Sequence, residues 1–217
     1  LSWDCAFAIE HVYGHHKNVG LSIDPATAKR GENIYRFIIR AIVNEQKDAW
    51  KIFLSQNKKS KGSLLSLENK MITGYLRSLF ITFFAYIIGG AEGMIIFLLC
   101  AFIAKSLLEA INYTEHYGLV RVPGQKVRPR HSWNSNSVMS SIFLYNVTRH
   151  SSHHEKASLK YWELHPYKGA PMMPYGYLSM LYLAIFLPPV FHKLMCKKLV
   201  EWDNKFASKS ERILAEN

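Results

Sequence analysis

At 217 residues the chain is long enough for one domain with a sizeable core, and its 49% apolar composition excludes a disordered tail. A formal charge of +11 suits nucleic acid, anionic lipid or an acidic protein partner without choosing among them. Three cysteines, Cys5, Cys100 and Cys196, lie far apart with no C-x-x-C pair, which points to neither a disulfide framework nor a zinc ribbon and favours a reducing compartment.

The chain opens on "LSWDCAFAIEH", with no initiator Met, basic n-region or cleavage site, so this is not a signal peptide. An apolar run leads straight into the cluster "EHVYGHHKN", as though a helix had been entered partway, and the sequence reads as a fragment that extends N-terminally in nature. On a helix turning about 100° per residue, His11 and His15 share one face while His16 points around the side. Residues 17–70 are mixed and basic, carrying Lys47, Lys51, Lys58, Lys59, Lys61 and Lys70, and "QNKKSKGS" reads as an exposed loop.

Two nearly continuous apolar runs follow, residues 71–88 and 93–110, each close to the ~20 residues that cross a hydrocarbon core. They read as membrane helices, the alternative being two buried helices of a soluble core. Arg77 and Lys105 lie near run ends, where a long side chain can snorkel to the interface. Only "GGAEG" separates the runs, which forces an antiparallel hairpin over about 71–111. Its outer ends then emerge on one side, and both flanks are basic: the lysine-rich segment before, and Arg121, Lys126, Arg128 and Arg130 after. By the positive-inside rule that side is cytoplasmic, and both histidine clusters lie on it.

The second cluster, "RHSSHHEKAS", holds His150, His153 and His154 in a fan comparable to the first. Downstream, "GYLSMLYLAIFLPPVFHKLM" is apolar but broken by Pro188 and Pro189, and reads as an interfacial or re-entrant helix. Six of the ten histidines fall in the two clusters. A single zinc uses only three or four ligands, so this much imidazole points to a pair of metal ions. All-nitrogen ligation suits iron, copper, nickel or zinc alike. A site beside a membrane favours a lipid-soluble substrate, and iron with dioxygen is the obvious means of attacking an unactivated C–H bond.

The clusters resemble the histidine boxes of the membrane fatty acid desaturase and hydroxylase superfamily. "EHVYGHHK", "NYTEHYGLVR", "PRHSWNSN", "RHSSHH" and "PYGYLSM" resemble, in order, the signatures of its integral-membrane alkane monooxygenase branch. The resemblance implies an all-α, multi-helix membrane protein, residues 1–217 being part of a single domain. It implies a non-haem centre of two iron ions that inserts oxygen from O2 into the terminal methyl of an alkane, with electrons from a rubredoxin. The implied ligands are His11, His15, His16, His116, His150, His153 and His154. Glu10 and Glu115, each beside a ligand, are either acceptors that fix imidazole orientation or ordinary solvated acids. An earlier H-x(3)-H box with a further pair of ligands, and N-terminal helices lining a substrate channel, belong to that family and are not in this sequence, which implies a chain inactive alone. His131, His165 and His192 read as non-ligands, and "PYGY" stands where the branch has "PSGY". An acyl desaturase, an aryl-methyl monooxygenase and a non-redox metal-binding membrane protein are the alternatives. A nucleic-acid binder is disfavoured, because the cations flank apolar runs instead of interleaving with aromatics.

Overall fold

The computed structural model describes residues 3–60, 69–156 and 158–216, and among these it is helical, with an isolated parallel bridge between Asn134 and Met172 in place of any strand. In chain order come α1 (Phe7–Glu10), a π-helical turn (His11–His15), α2 (His16–Asn18), α3 (Ile34–Ser60) and α4 (Lys70–His116). Beyond these are α5 (Val138–Phe143), α6 (His150–Glu155), α7 (Tyr177–Phe186), α8 (Pro188–Lys205) and α9 (Lys209–Glu216).

The segment read as mixed and basic contains the long helix α3. Ile34, Phe37, Ile38, Ala41 and Ala49 recur at helical spacing and are buried, which anchors one face, while Lys47, Lys51 and Lys58 are exposed. The helix runs through residues 56–60, so the first half of "QNKKSKGS" is not a loop; its remainder, including Lys61, lies outside the described residues.

Helix α4 begins at an Asn69 cap, whose side chain accepts from the Met71 and Ile72 amides. Inside it Gly90 takes φ 61° and ψ −155°, a conformation that only glycine adopts freely, and the helical path breaks there. A Cβ on Gly93 would lie 2.8 Å from the Ala85 carbonyl oxygen. Residues eight apart on a straight helix are separated by ~12 Å, so the chain doubles back at the glycines. Only 6% of its most apolar 18-residue window is buried, and Phe80, Phe83, Ile87, Ile95, Leu99 and Ile103 all face outward. Such a surface is far larger than soluble proteins expose and disfavours the soluble-core alternative. Arg77 is exposed, as a snorkelling cation requires. Lys105 is not: its ammonium is buried against Asp4, Glu45 and Glu109 at 3.0, 2.7 and 2.6 Å, so it is held by carboxylates instead of reaching the interface.

The principal core joins α3, the end of α4, α7 and α8 through Phe37, Tyr113, Tyr117, Met180, Phe191, Met195 and Trp202. Helix α7 spans ten residues, too few to cross a bilayer, and Leu187 leaves helical geometry so that Pro188 starts α8. Helix α5 is inverted: Ser140 is buried and Ser141 pairs with Thr148, while Val138, Met139, Ile142 and Phe143 point outward.

Gly118, just past α4, has φ 69°, and a Cβ there would meet Arg30 Cγ and Leu199 Cδ2 at 2.9 Å; Gly31 has φ 74° but open space around it. Gly31→Ala is expected to cost only the left-handed penalty of about 1–2 kcal/mol. Gly118→Ala adds overpacking of about 1–3 kcal/mol and should unfold at lower temperature in detergent; equal losses at the two positions would contradict this packing account.

Candidate metal centre

The first histidine cluster lies on a turn wider than an α-helix. The amide of His16 pairs back to the His11 carbonyl, five residues away, so His15 and His16 both come under His11, with ring centroids 5.2 and 4.7 Å from it. This differs from the α-helical expectation, which sends His16 to the side. Gly14 permits the turn: a Cβ there would stand 2.5 Å from Glu10 Oε1. The second cluster lies on the ordinary helix α6, where His150 and His154 share a face four residues apart.

These elements and the end of α4 bring all seven histidines into two adjacent groups. His15, His116, His150 and His154 form a buried one, and His11, His16 and His153 a half-buried one, with candidate ligand nitrogens within 4.8 Å of one another in each. Each cluster thus contributes to both groups. In the first group His150 Nε2 lies 3.0 Å from His116 Nε2 and 2.9 Å from His154 Nε2. In the second, His16 Nε2 lies 3.2 Å from His11 Nε2 and 3.1 Å from His153 Nε2, which are 3.4 Å apart. Nitrogens sharing one ion at about 2.1 Å lie roughly 3.0–3.4 Å from one another, so these separations fit a shared metal. A hydrogen-bonded triangle of three imidazole nitrogens fits poorly, because each offers one proton or one lone pair along a single in-plane direction.

The other ring nitrogens explain why the lone pairs point inward. His15 Nδ1 donates to Asp24 Oδ2 at 3.0 Å, and Asp24 is itself held by Thr27 Oγ1 and the Ala26 amide, leaving His15 Nε2 buried and without a hydrogen-bond partner. His116 Nδ1 donates to the His131 carbonyl at 3.2 Å. His150 Nδ1 lies 3.2 Å from Glu115 Oε1, an ion-pair distance without hydrogen-bond alignment. Glu10 is buried with one oxygen unpartnered, and burial pushes its carboxyl up to about 7. Burial pulls His150 and His154 well below the ordinary imidazole range and His16 down to about 3, which keeps them in the neutral, metal-binding form. Burial also pulls His15 down, but the Asp24 carboxylate outweighs it and leaves His15 raised.

The signature segments outside the two histidine groups tie these pieces together. Trp133 donates its amide to the Glu115 carbonyl and its indole N–H to the Tyr117 carbonyl. Asn134 donates its side-chain amide to Ser151 Oγ and accepts from the Ser151 amide, and its backbone pairs with Pro171 and Met173. Tyr177 donates to the Trp133 carbonyl, and Gly176 leaves room for Ser137 and Ser140. His131 belongs to neither histidine group: it accepts from the Arg128 amide and donates to Glu211 at 2.8 Å. His165 sits near Ser152, and His192 pairs with the Tyr113 hydroxyl, both outside the groups. Arg121, expected among the flanking surface cations, is buried and donates to the carbonyls of Val19, Gln125 and Lys17. Asp24 was not singled out from the sequence; an Asp-Pro pair between clusters signals a turn and nothing more.

A family model described as fatty acid desaturase matches residues 3–184. The chain is 37% identical over 203 residues to alkane 1-monooxygenase 1 of Pseudomonas aeruginosa, covering 89% of this chain and 52% of the relative. It is also 37% identical over 202 residues to an alkane 1-monooxygenase of Acinetobacter baylyi, covering 90% and 49%. The hydroxylase component of a xylene/toluene monooxygenase of Pseudomonas putida is 34% identical over 208 residues, covering 95% and 56%. The chain thus spans about half the length of the curated relatives it matches.

Asp24→Asn keeps the shape of the side chain but removes the charge that fixes His15, and partners of this kind are worth about 10–100-fold in metal affinity. A chelator competition titration is expected to show that weakening with the fold intact by circular dichroism; unchanged affinity would remove Asp24 from the centre.

Proposed function

The chain belongs to the fatty acid desaturase family, and on that premise we propose that it carries the metal core of a membrane-bound, non-haem di-iron alkane 1-monooxygenase. One iron is assigned to His15, His116, His150 and His154, the other to His11, His16 and His153. One atom of O2 enters the terminal C–H bond of an alkane and the other leaves as water, with electrons from a rubredoxin-type donor. The observation that carries this reading is the convergence of seven imidazoles into two adjacent nitrogen-only groups, in a chain whose relatives bear the name alkane 1-monooxygenase. When bound, iron would supply the dioxygen chemistry that an unactivated C–H bond demands.

The protein's own residues bind and orient. Asp24 keeps a proton on His15 Nδ1 so that Nε2 faces the ion, and the His131 carbonyl does the same for His116. Glu115 stands at His150 and favours the outward proton there. The outward apolar side chains of α4 suit a lipid bilayer, from which an alkane reaches the centre without crossing water. His116 ends that helix, so the metal groups are assigned to one membrane face, together with the exposed Lys47, Lys51, Lys58, Lys126 and Arg128. The excess of cations makes that face cytoplasmic and suited to an acidic electron donor. The xylene/toluene relative favours a second reading, oxidation of an aryl methyl group. Incubation with an n-alkane and with a methylarene, followed by product analysis, separates the two.

In the protein that carries this chain, His150→Ala, His153→Ala and His154→Ala should each lower iron content or abolish turnover, and His192→Ala should do neither. General packing loss predicts similar damage at all four positions, so equal effects would overturn ligation. Stopped-flow reduction by the donor should slow as added salt screens the attraction; indifference to ionic strength would count against a charge-steered donor.

A further inference from the structure

We propose that Lys105 is a positioning residue for the group His11, His16 and His153, acting on it through the ring of Phe7. The proposal rests on that group being a metal site. Lys105 lies in the second arm of α4, about three helical turns before His116, where a charge is costly unless it does something. Three carboxylates from three separate segments converge on its ammonium: Asp4 from the N-terminal stretch, Glu45 from α3 and Glu109 from α4. One carboxylate would neutralise the charge; three hold the nitrogen at a single point. From there the ammonium lies 5.6 Å from the centre of the Phe7 ring, within cation–π range. The other link is a ring stack, with the Phe7 and His11 centroids 4.6 Å apart and the planes inclined by 21°.

The contacts make a continuous line from ammonium to phenyl to imidazole. Its terminus is the residue at which the wide π-helical turn begins. A π turn is rare and poorly stable on its own, so the plane of His11 needs an outside reference. The remaining contacts of the N-terminal stretch reinforce the same placement: Trp3 donates to Thr82, and Cys5 packs on Gly74, both on the first arm of α4. The buried group of His15, His116, His150 and His154 meets this line only where His15 stacks on His11, with centroids 5.2 Å apart, and it has supports of its own in Asp24 and the His131 carbonyl.

The test is a titration with Co(II), followed by its ligand-field absorption, on the protein purified in detergent. Wild type should show two classes of site, one removed by His153→Ala and the other by His154→Ala. Lys105→Met should weaken the class that His153→Ala removes and leave the other unchanged, and Lys105→Arg should restore most of the loss. Phe7→Leu, which keeps the carboxylate cluster whole, should weaken the same class by about three- to ten-fold, the worth of one aromatic stack. Phe7→Leu that changes neither class, or weakens both alike, overturns the proposal and leaves Lys105 a fold anchor. No Co(II) binding by wild type at either group would instead overturn the metal reading itself.

Discussion

Seven imidazoles can share so small a volume only while they stay uncharged or give their lone pairs to a cation. Two protonated rings at 3 Å repel by several kcal/mol at any plausible interior permittivity. The fold meets this constraint by burial, which keeps most of the cluster neutral. It also directs protons outward, onto Asp24 and the His131 carbonyl, so that the inward nitrogens are left as acceptors. The remaining structure can be read as the apparatus that makes this arrangement possible.

That apparatus is built from side chains anchored on main-chain groups. Trp133, Asn134 and Tyr177 join the end of α4, the N-terminal part of α6 and the start of α7 through main-chain amides and carbonyls. At the far end of the frame, Glu211 of α9 accepts from Arg130 and His131 and fixes the peptide whose carbonyl steadies His116. Helix α9 therefore bears on His116 through His131.

Much of this was legible in the sequence, and the exceptions have physical causes. Clustered histidines announce themselves because imidazole is scarce and few environments tolerate it in bulk. Apolar runs as long as those in α4 have few uses outside a membrane. Helix α3 was obscured because its buried stripe of Ile34, Phe37, Ile38, Ala41 and Ala49 is diluted by cations on the opposite face. The placement of His16 under His11 follows from one extra residue in a turn, which no regular period encodes. Asp24 goes unremarked and Lys105 reads as a snorkelling cation for a common reason: each meets a buried partner distant in sequence, and a carboxylate or an ammonium in a string of letters looks solvated by default.

The reversal at Gly90 has open space where a side chain would be, and so does Gly89. The two ends of this molecule therefore answer differently to alteration. Near His116 almost every atom has a neighbour, whereas the tip of the hairpin is constrained by little beyond its backbone angle. Extra residues or a fluorophore grafted at the tip would lengthen the molecule without disturbing the histidines. Protein engineering has a natural handle there, at the opposite end of the second arm from His116.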